Sequence, residues 1–178
     1  MTATINNIIL FAKKLIGIPY KWWVKGETSN EKEPFWASNT PVPKIENITS
    51  VNCTGFINLM RRFNGLSVPG VNIHKYAGGT YIWYNYLNRK KYLKRFNINE
   101  LYPKGTLLIR KYRNDKDQGH VAVIITANKQ NVLYENIIHS YSPDGVGISK
   151  LGYSHFSIEN GYYEYICLPQ HWLLTDQY

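Results

Sequence analysis

Apolar residues at Ile5, Ile8, Ile9, Ala12, Leu15 and Ile16 recur at three- and four-residue intervals, which predicts a core-facing helix ending near Gly17 and Pro19. From Lys25 to Ser50 the chain turns polar, carries Pro34, Pro41 and Pro43, and shows no sustained periodicity. That stretch reads as a long surface loop, of the kind that often carries function. Phe56, Ile57, Leu59, Met60 and Phe63 predict a second helix starting at or just after Asn52 and stopping at Asn64-Gly65, with Arg61 and Arg62 toward solvent. A third helical stretch covers Gly79 to Leu93. After Gly105 the pattern changes to short runs rich in Val, Ile, Leu, Tyr and Thr. Thr106 to Tyr112, His120 to Thr126, Asn131 to His139 and Tyr162 to Leu168 are expected strands. Helices first and closely spaced strands later imply an α+β fold with an antiparallel sheet, because parallel pairs would need helical crossovers.

At 178 residues the chain is expected to form one domain, 1–178, with the insertion at about 25–50. A hydrophobic fraction of 44%, with 15 Tyr and 5 Trp, excludes a disordered chain. No apolar run approaches the roughly 20 residues of a transmembrane helix. The Ile5 to Ile16 run lacks a basic leading region and a small-residue cleavage site, so no signal peptide is expected and the protein is placed as cytoplasmic or virus-associated. A net charge of +9 favours an anionic surface or polymer as partner. Two cysteines, Cys53 and Cys167, form no disulfide or zinc framework by spacing.

Cys53 stands out within Val51-Asn52-Cys53-Thr54-Gly55-Phe56, at the first turn of the second helix. Unpaired N–H groups and the positive end of the helix dipole favour a thiolate there and can lower its pKa into the range of roughly 3.5–7.5. The same groups can stabilise an oxyanion. A thiol nucleophile needs a base, and His120, at the start of a strand after the polar loop Tyr112 to Gly119, is the natural one. A third polar group must orient it. If Asn128 to Asn131 form the hairpin loop, His139 lies directly across from His120. Glu135, on the same strand face, and Asn136 remain alternatives.

Three blocks of the chain resemble the papain-like cysteine hydrolases of the NlpC type: Ile18-Pro19-Tyr20-Lys21-Trp22, Asn52-Cys53-Thr54-Gly55-Phe56 and Gly119-His120-Val121-Ala122-Val123. Pro103-Lys104-Gly105-Thr106-Leu107-Leu108 is similar to the strand opening that precedes the histidine in that superfamily. Asn52 stands where the family carries an aspartate. The resemblance implies a papain-like fold, with Cys53 as nucleophile, His120 as base, His139 as orienting residue, and Tyr20 and Trp22 at the substrate. A secondary similarity to CHAP amidases over Gly119 to Ile125 and Glu135-Asn136 implies an acid, Glu135, as orienting group instead.

Trp22, Trp23, Trp36, Tyr81, Trp83, Tyr84 and Tyr86 fill a core or line a cleft, with core the commoner role. Arg89, Lys90, Lys91, Lys94 and Arg95 read as a solvated helix face, which makes nucleic acid an unlikely partner. His74, His155 and His171 lack ligand spacing, so neither metal nor cofactor is expected, and Cys167 belongs to the core. The expected activity is hydrolysis of a peptide, isopeptide or related amide bond through a thioester. The competing readings are an acyltransferase or thioesterase using the same Cys-His site, and a noncatalytic basic binding module.

Overall fold

The computed structural model describes residues 4–22, 41–70, 79–114, 116–152 and 162–174. Helix α1 (Ile5–Lys13) starts at Thr4, whose hydroxyl accepts the Asn7 N–H at 3.3 Å, and buries Ile8, Ile9, Phe11 and Ala12. Helix α2 (Cys53–Phe63) has Asn52 as its N-cap, the side-chain oxygen accepting the Gly55 N–H at 2.6 Å. Asparagine is among the favoured N-cap residues, so the helix start is well closed. Helix α3 (Thr80–Arg89) and the short α4 (Pro169–Trp172) complete the helical layer. No described helix is long and apolar enough to cross a membrane.

Six strands form one sheet: β1 (Leu93–Arg95), β2 (Leu107–Arg110), β3 (His120–Ile124), β4 (Asn136–Tyr141), β5 (Gly145–Lys150) and β6 (Tyr165–Cys167). Their order is β1-β6-β2-β3-β4-β5 and every neighbouring pair is antiparallel. Alternation splits the side chains between two apolar clusters. Leu107, Ile109, Val121, Val123 and Ile138 pack with α1 and α2. Leu108, Ala122, Ile124 and Ile137 pack on the other side with Tyr102, Val132 and Tyr163. The fold is therefore α+β, as expected.

Several sequence expectations need correction. The third helix stops at Arg89, and Lys91, at φ 59, turns the chain into edge strand β1. Beyond Arg89, the last residue of α3, the basic run is thus a turn and an edge strand rather than a helix face. Lys90 lies 5.9 Å from the Tyr86 ring centroid and Arg95 4.5 Å from that of Tyr165. Strand β4 begins five residues later than expected, because Val132–Tyr134 forms a 3₁₀ turn whose Leu133 N–H is taken by the Asn131 side chain at 2.8 Å. Strand β5, with two glycines in six residues, gave no strand signal. Of the 25–50 stretch, residues 25–40 lie outside those described, as do Trp23, His74 and His155, and with them Trp36. The described part carries a 3₁₀ turn at Ile45–Asn47 and buries Ile48.

Arg61 and Arg62 are buried rather than turned to solvent, at 1% and 7% exposure. The reason is that α3 and α4 cover the far side of α2. The Arg61 guanidinium donates to the carbonyls of Ser67 and Trp172 and sits over the rings of Trp83 and Tyr86. One turn earlier, Asn58 accepts the Trp83 indole N–H at 2.8 Å, and Trp172 donates to the Gly105 carbonyl at 2.8 Å. Polar residues thus pin the central helix to its neighbours by satisfied hydrogen bonds. Replacing Arg61 with Ala strips two buried carbonyls of their donor and leaves a cavity, so we expect a loss of about 3 kcal/mol or more, read by urea denaturation.

Candidate active site

Ladder pairing between β3 and β4 ends at Val123↔Ile138. Beyond that point the segment Val51 to Cys53 lies beside both strands. The Ser140 hydroxyl donates to the Val51 carbonyl at 3.0 Å, and the Val121 backbone hydrogen-bonds the Cys53 sulfur. Val51 also forms a parallel bridge with Tyr20, through Val51 N–H to Pro19 O at 3.0 Å and Lys21 N–H to Val51 O at 3.3 Å. The chain leading into Tyr20 is held by Val146, whose N–H donates to Ile18 O and whose carbonyl accepts the Gly17 N–H, both at 2.9 Å. Gly145 permits this approach: it sits at φ +89, and a Cβ there would collide with the Ile18 carbonyl.

Cys53 is 8% exposed and opens onto a cleft of about 230 Å³. Tyr20, Trp22, Thr54, Thr80, Tyr81 and Tyr112 are among its walls. Tyr20 meets Trp22 edge-on at 5.2 Å, and Tyr81 meets Tyr112 edge-on at 6.0 Å. The aromatic residues of the sequence therefore divide, with Trp83 in the core and Trp22 and Tyr81 exposed at the cleft. A larger hollow of about 510 Å³ beside Leu10, Phe11 and Phe63 contains neither Cys53 nor a histidine.

His120 follows Gly119 at the start of β3. Gly119 adopts φ +75, and a Cβ there would meet the Arg110 carbonyl oxygen, the Lys111 carbonyl carbon at 2.7 Å and Thr80 Cγ2 at 2.8 Å. Only glycine fits, which accounts physically for the glycine before the histidine. The preceding loop is clamped by ions. Arg110 binds Asp117 through Nε at 3.1 Å and Nη2 at 2.6 Å, and Arg113 bridges Asp117 at 3.1 Å and Glu164 at 3.2 Å. Burial works to raise the Asp117 pKa, but the hydrogen bonds and charge of Arg110, the Gly119 N–H and Arg113 outweigh it and bring the carboxyl below its ordinary value.

His120 Nε2 lies 2.8 Å from His139 Nδ1, and His139 Nε2 lies 3.0 Å from the Ser149 hydroxyl. The register differs from the sequence expectation. Extending the observed ladder sets His139 opposite Ala122, so the two histidines meet diagonally rather than directly across. A slip of two residues keeps every side chain on its face, which is why the pair survives the error. Glu135 is elsewhere: its buried carboxylate accepts from the Thr126 hydroxyl and the Asn128 N–H, pinning the connection between β3 and β4. The third candidate, Asn136, pairs with Lys150 in β5.

The electrostatics correct a second expectation. Burial pushes the Cys53 thiol up to about 11, more than its hydrogen bonds from the Thr54 backbone, the Thr80 side chain and the Val121 and Cys53 backbones bring it down. His120 is held well below its ordinary value by burial, then by His139 and Arg110. Desolvation disfavours each charged form and drives an acid and a base in opposite directions. The resting groups are therefore a thiol and a neutral imidazole. Tyr20 and Tyr162 have raised pKa values, each mainly through burial, and Tyr162 is pushed up to about 12. Thr80, Ser149, Tyr112 and Tyr162 carry no motif, and nothing local in the sequence points to them. Among the described residues no group of three His, Cys, Asp or Glu side chains could hold a metal ion.

No protein-family model and no curated protein matches the sequence. Among solved structures the chain is similar to the crystal structure of the P60 domain of an antigen from M. avium subspecies paratuberculosis. The identity is 17%, over 92% of this chain and 93% of that one, with a TM-score of 0.47.

Two outcomes follow from the site's geometry. The rate at which iodoacetamide alkylates Cys53 should climb about tenfold per pH unit between pH 7 and 10, because the proton of a raised thiol must leave first. A flat rate from pH 5 to 8 would instead indicate a preformed thiolate. Gly119→Ala should cost about 2 kcal/mol in thermal or urea unfolding and slow that alkylation, since the backbone carrying His120 and the hydroxyl of Thr80 must both shift.

Proposed function

We propose that the protein is a cysteine hydrolase that cleaves a peptide, isopeptide or related amide bond. The observation that carries this reading is the sulfur at the first turn of α2, open to a cleft and bonded to the Val121 backbone. One residue away, His120 bonds His139 at 2.8 Å. Tyr162 and Tyr163 stand in the same surroundings, with rings 6.1 and 6.3 Å from that of His120 and with electrostatic interactions with Cys53.

In this reading Cys53 attacks the amide carbonyl as His120 accepts the thiol proton on Nδ1, so the carbon–sulfur bond forms while the carbonyl π bond opens to an oxyanion. N–H groups of the first turn of α2 stabilise the oxyanion. Collapse breaks the carbon–nitrogen bond, and His120 passes its proton to the departing amine. Water then attacks the thioester, giving its proton to His120, and the acid leaves as the proton returns to the sulfur. His139 holds the His120 ring, Tyr20 and Trp22 form one wall for the substrate, and the residues act without a cofactor.

The test is intact-mass spectrometry after exposure to a library of peptide and isopeptide amides. A mass gain on Cys53 equal to an acyl fragment, followed by release of the free acid, is expected. Cys53→Ala should remove the adduct, and His120→Ala should slow turnover by about 10³-fold. An electrophile should label Cys53 ahead of Cys167, which is fully buried. Equal labelling of both cysteines, or product formation that survives Cys53→Ala, would overturn the assignment.

A further inference from the structure

The chain of side chains behind His120 does not end at His139. Three adjacent strands contribute one residue each on a diagonal: His120 from β3, His139 from β4 and Ser149 from β5. In the β4–β5 ladder His139 faces Gly147 and Ser149 faces Ile137, so Ser149 is two positions along from the direct partner of His139. Gly147 presents no side chain beside the imidazole, and the Ser149 hydroxyl reaches His139 Nε2 at 3.0 Å.

A neutral imidazole has one N–H and one lone pair. The His120–His139 bond therefore has two possible polarities. If His139 donates from Nδ1, then His120 accepts on Nε2 and must carry its own proton on Nδ1, which cannot then take a proton from a thiol. If His120 donates from Nε2, its Nδ1 holds the lone pair a base needs. His139 then accepts on Nδ1 and must carry its proton on Nε2, where a fully buried ring requires an acceptor. Ser149 Oγ occupies that place.

We propose that Ser149 is a positioning residue: by accepting His139 Nε2–H, its hydroxyl lets the buried ring hold the tautomer that leaves His120 Nδ1 able to act as base. This deepens the hydrolase reading and rests on it for its purpose, though the tautomer itself is independent of any activity. The arrangement also suits the charged intermediate. When His120 carries both protons, its Nε2–H still finds the His139 Nδ1 lone pair, and no further proton moves along the chain.

The test reads the rings directly, by long-range ¹⁵N–¹H correlation on the full chain with labelled histidine, at a pH where both rings are neutral. The expected result is His120 and His139 both protonated at Nε2. Ser149→Ala should move His139 measurably toward the Nδ1–H form, and Ser149→Thr, which keeps the hydroxyl, should restore the original pattern. His139 found in the Nδ1–H form in the unaltered protein would overturn the inference, whether or not any variant folds. So would a folded Ser149→Ala protein with unchanged tautomers. These outcomes are separable from failure of the hydrolase reading, in which the tautomers stand as expected but no amide acylates Cys53.

Discussion

The site depends on one constraint, the wedging of the α2 N-terminus beside β3 and β4 where their pairing ends. The Val51 carbonyl takes the Ser140 hydroxyl, the Cys53 sulfur takes the Val121 backbone, and Asn52 closes the first turn through Gly55. The first two join the helix start to β4 and β3 and the third closes its own first turn, so sulfur, strands and cap cannot shift independently. The same segment fixes Tyr20 through its bridge with Val51. One short stretch of chain thus sets the position of the Cys53 sulfur, its donors and one wall of the cleft.

Burying that wedge requires α2 to be enclosed on all sides, which explains the polar interior around it. A helix whose first ten residues are all buried has no solvent face on which to place Arg61. The guanidinium is tolerated because carbonyls and aromatic faces surround it. The ion cluster of Arg110, Asp117, Arg113 and Glu164 has a comparable role at the surface, holding the loop that leads into Gly119 and His120. These interactions fix a geometry; as partly exposed pairs they contribute little net stability.

How much of this could be read from the sequence follows the range of the physics involved. The start of α2 was legible because its cap, its apolar spacing and its Asn64-Gly65 stop are all local. His120 was legible because an apolar strand run starts there directly after a polar loop; the positive φ of Gly119 emerged only with the structure. The partnership of His120 with His139 was legible in identity but not in register, since the 3₁₀ turn at Val132–Tyr134 lengthens the connection. Parity protected the assignment: a two-residue slip preserves the face on which His139 lies. Thr80 and Ser149 were not legible, because they reach the site from elements joined to it only by the tertiary fold. The direction of the Cys53 shift was misread for the same reason. The helix terminus is a local feature that lowers a thiol pKa, whereas the burial that raises it comes from the whole enclosure.

That enclosure has a consequence for chemistry. With the thiol raised and the imidazole lowered, the distance between their proton affinities widens and a standing thiolate–imidazolium pair is disfavoured. On the hydrolase reading, ionisation is then postponed until a carbonyl enters the cleft, where charge passes from sulfur to an oxygen that backbone N–H groups can hold. The low-polarity surroundings that make the resting ions costly also strengthen those fixed dipoles. On that reading burial does two things at once: it slows reaction of the resting thiol with stray electrophiles and oxidants, and it concentrates the stabilisation on the state in which the carbon–sulfur bond is forming.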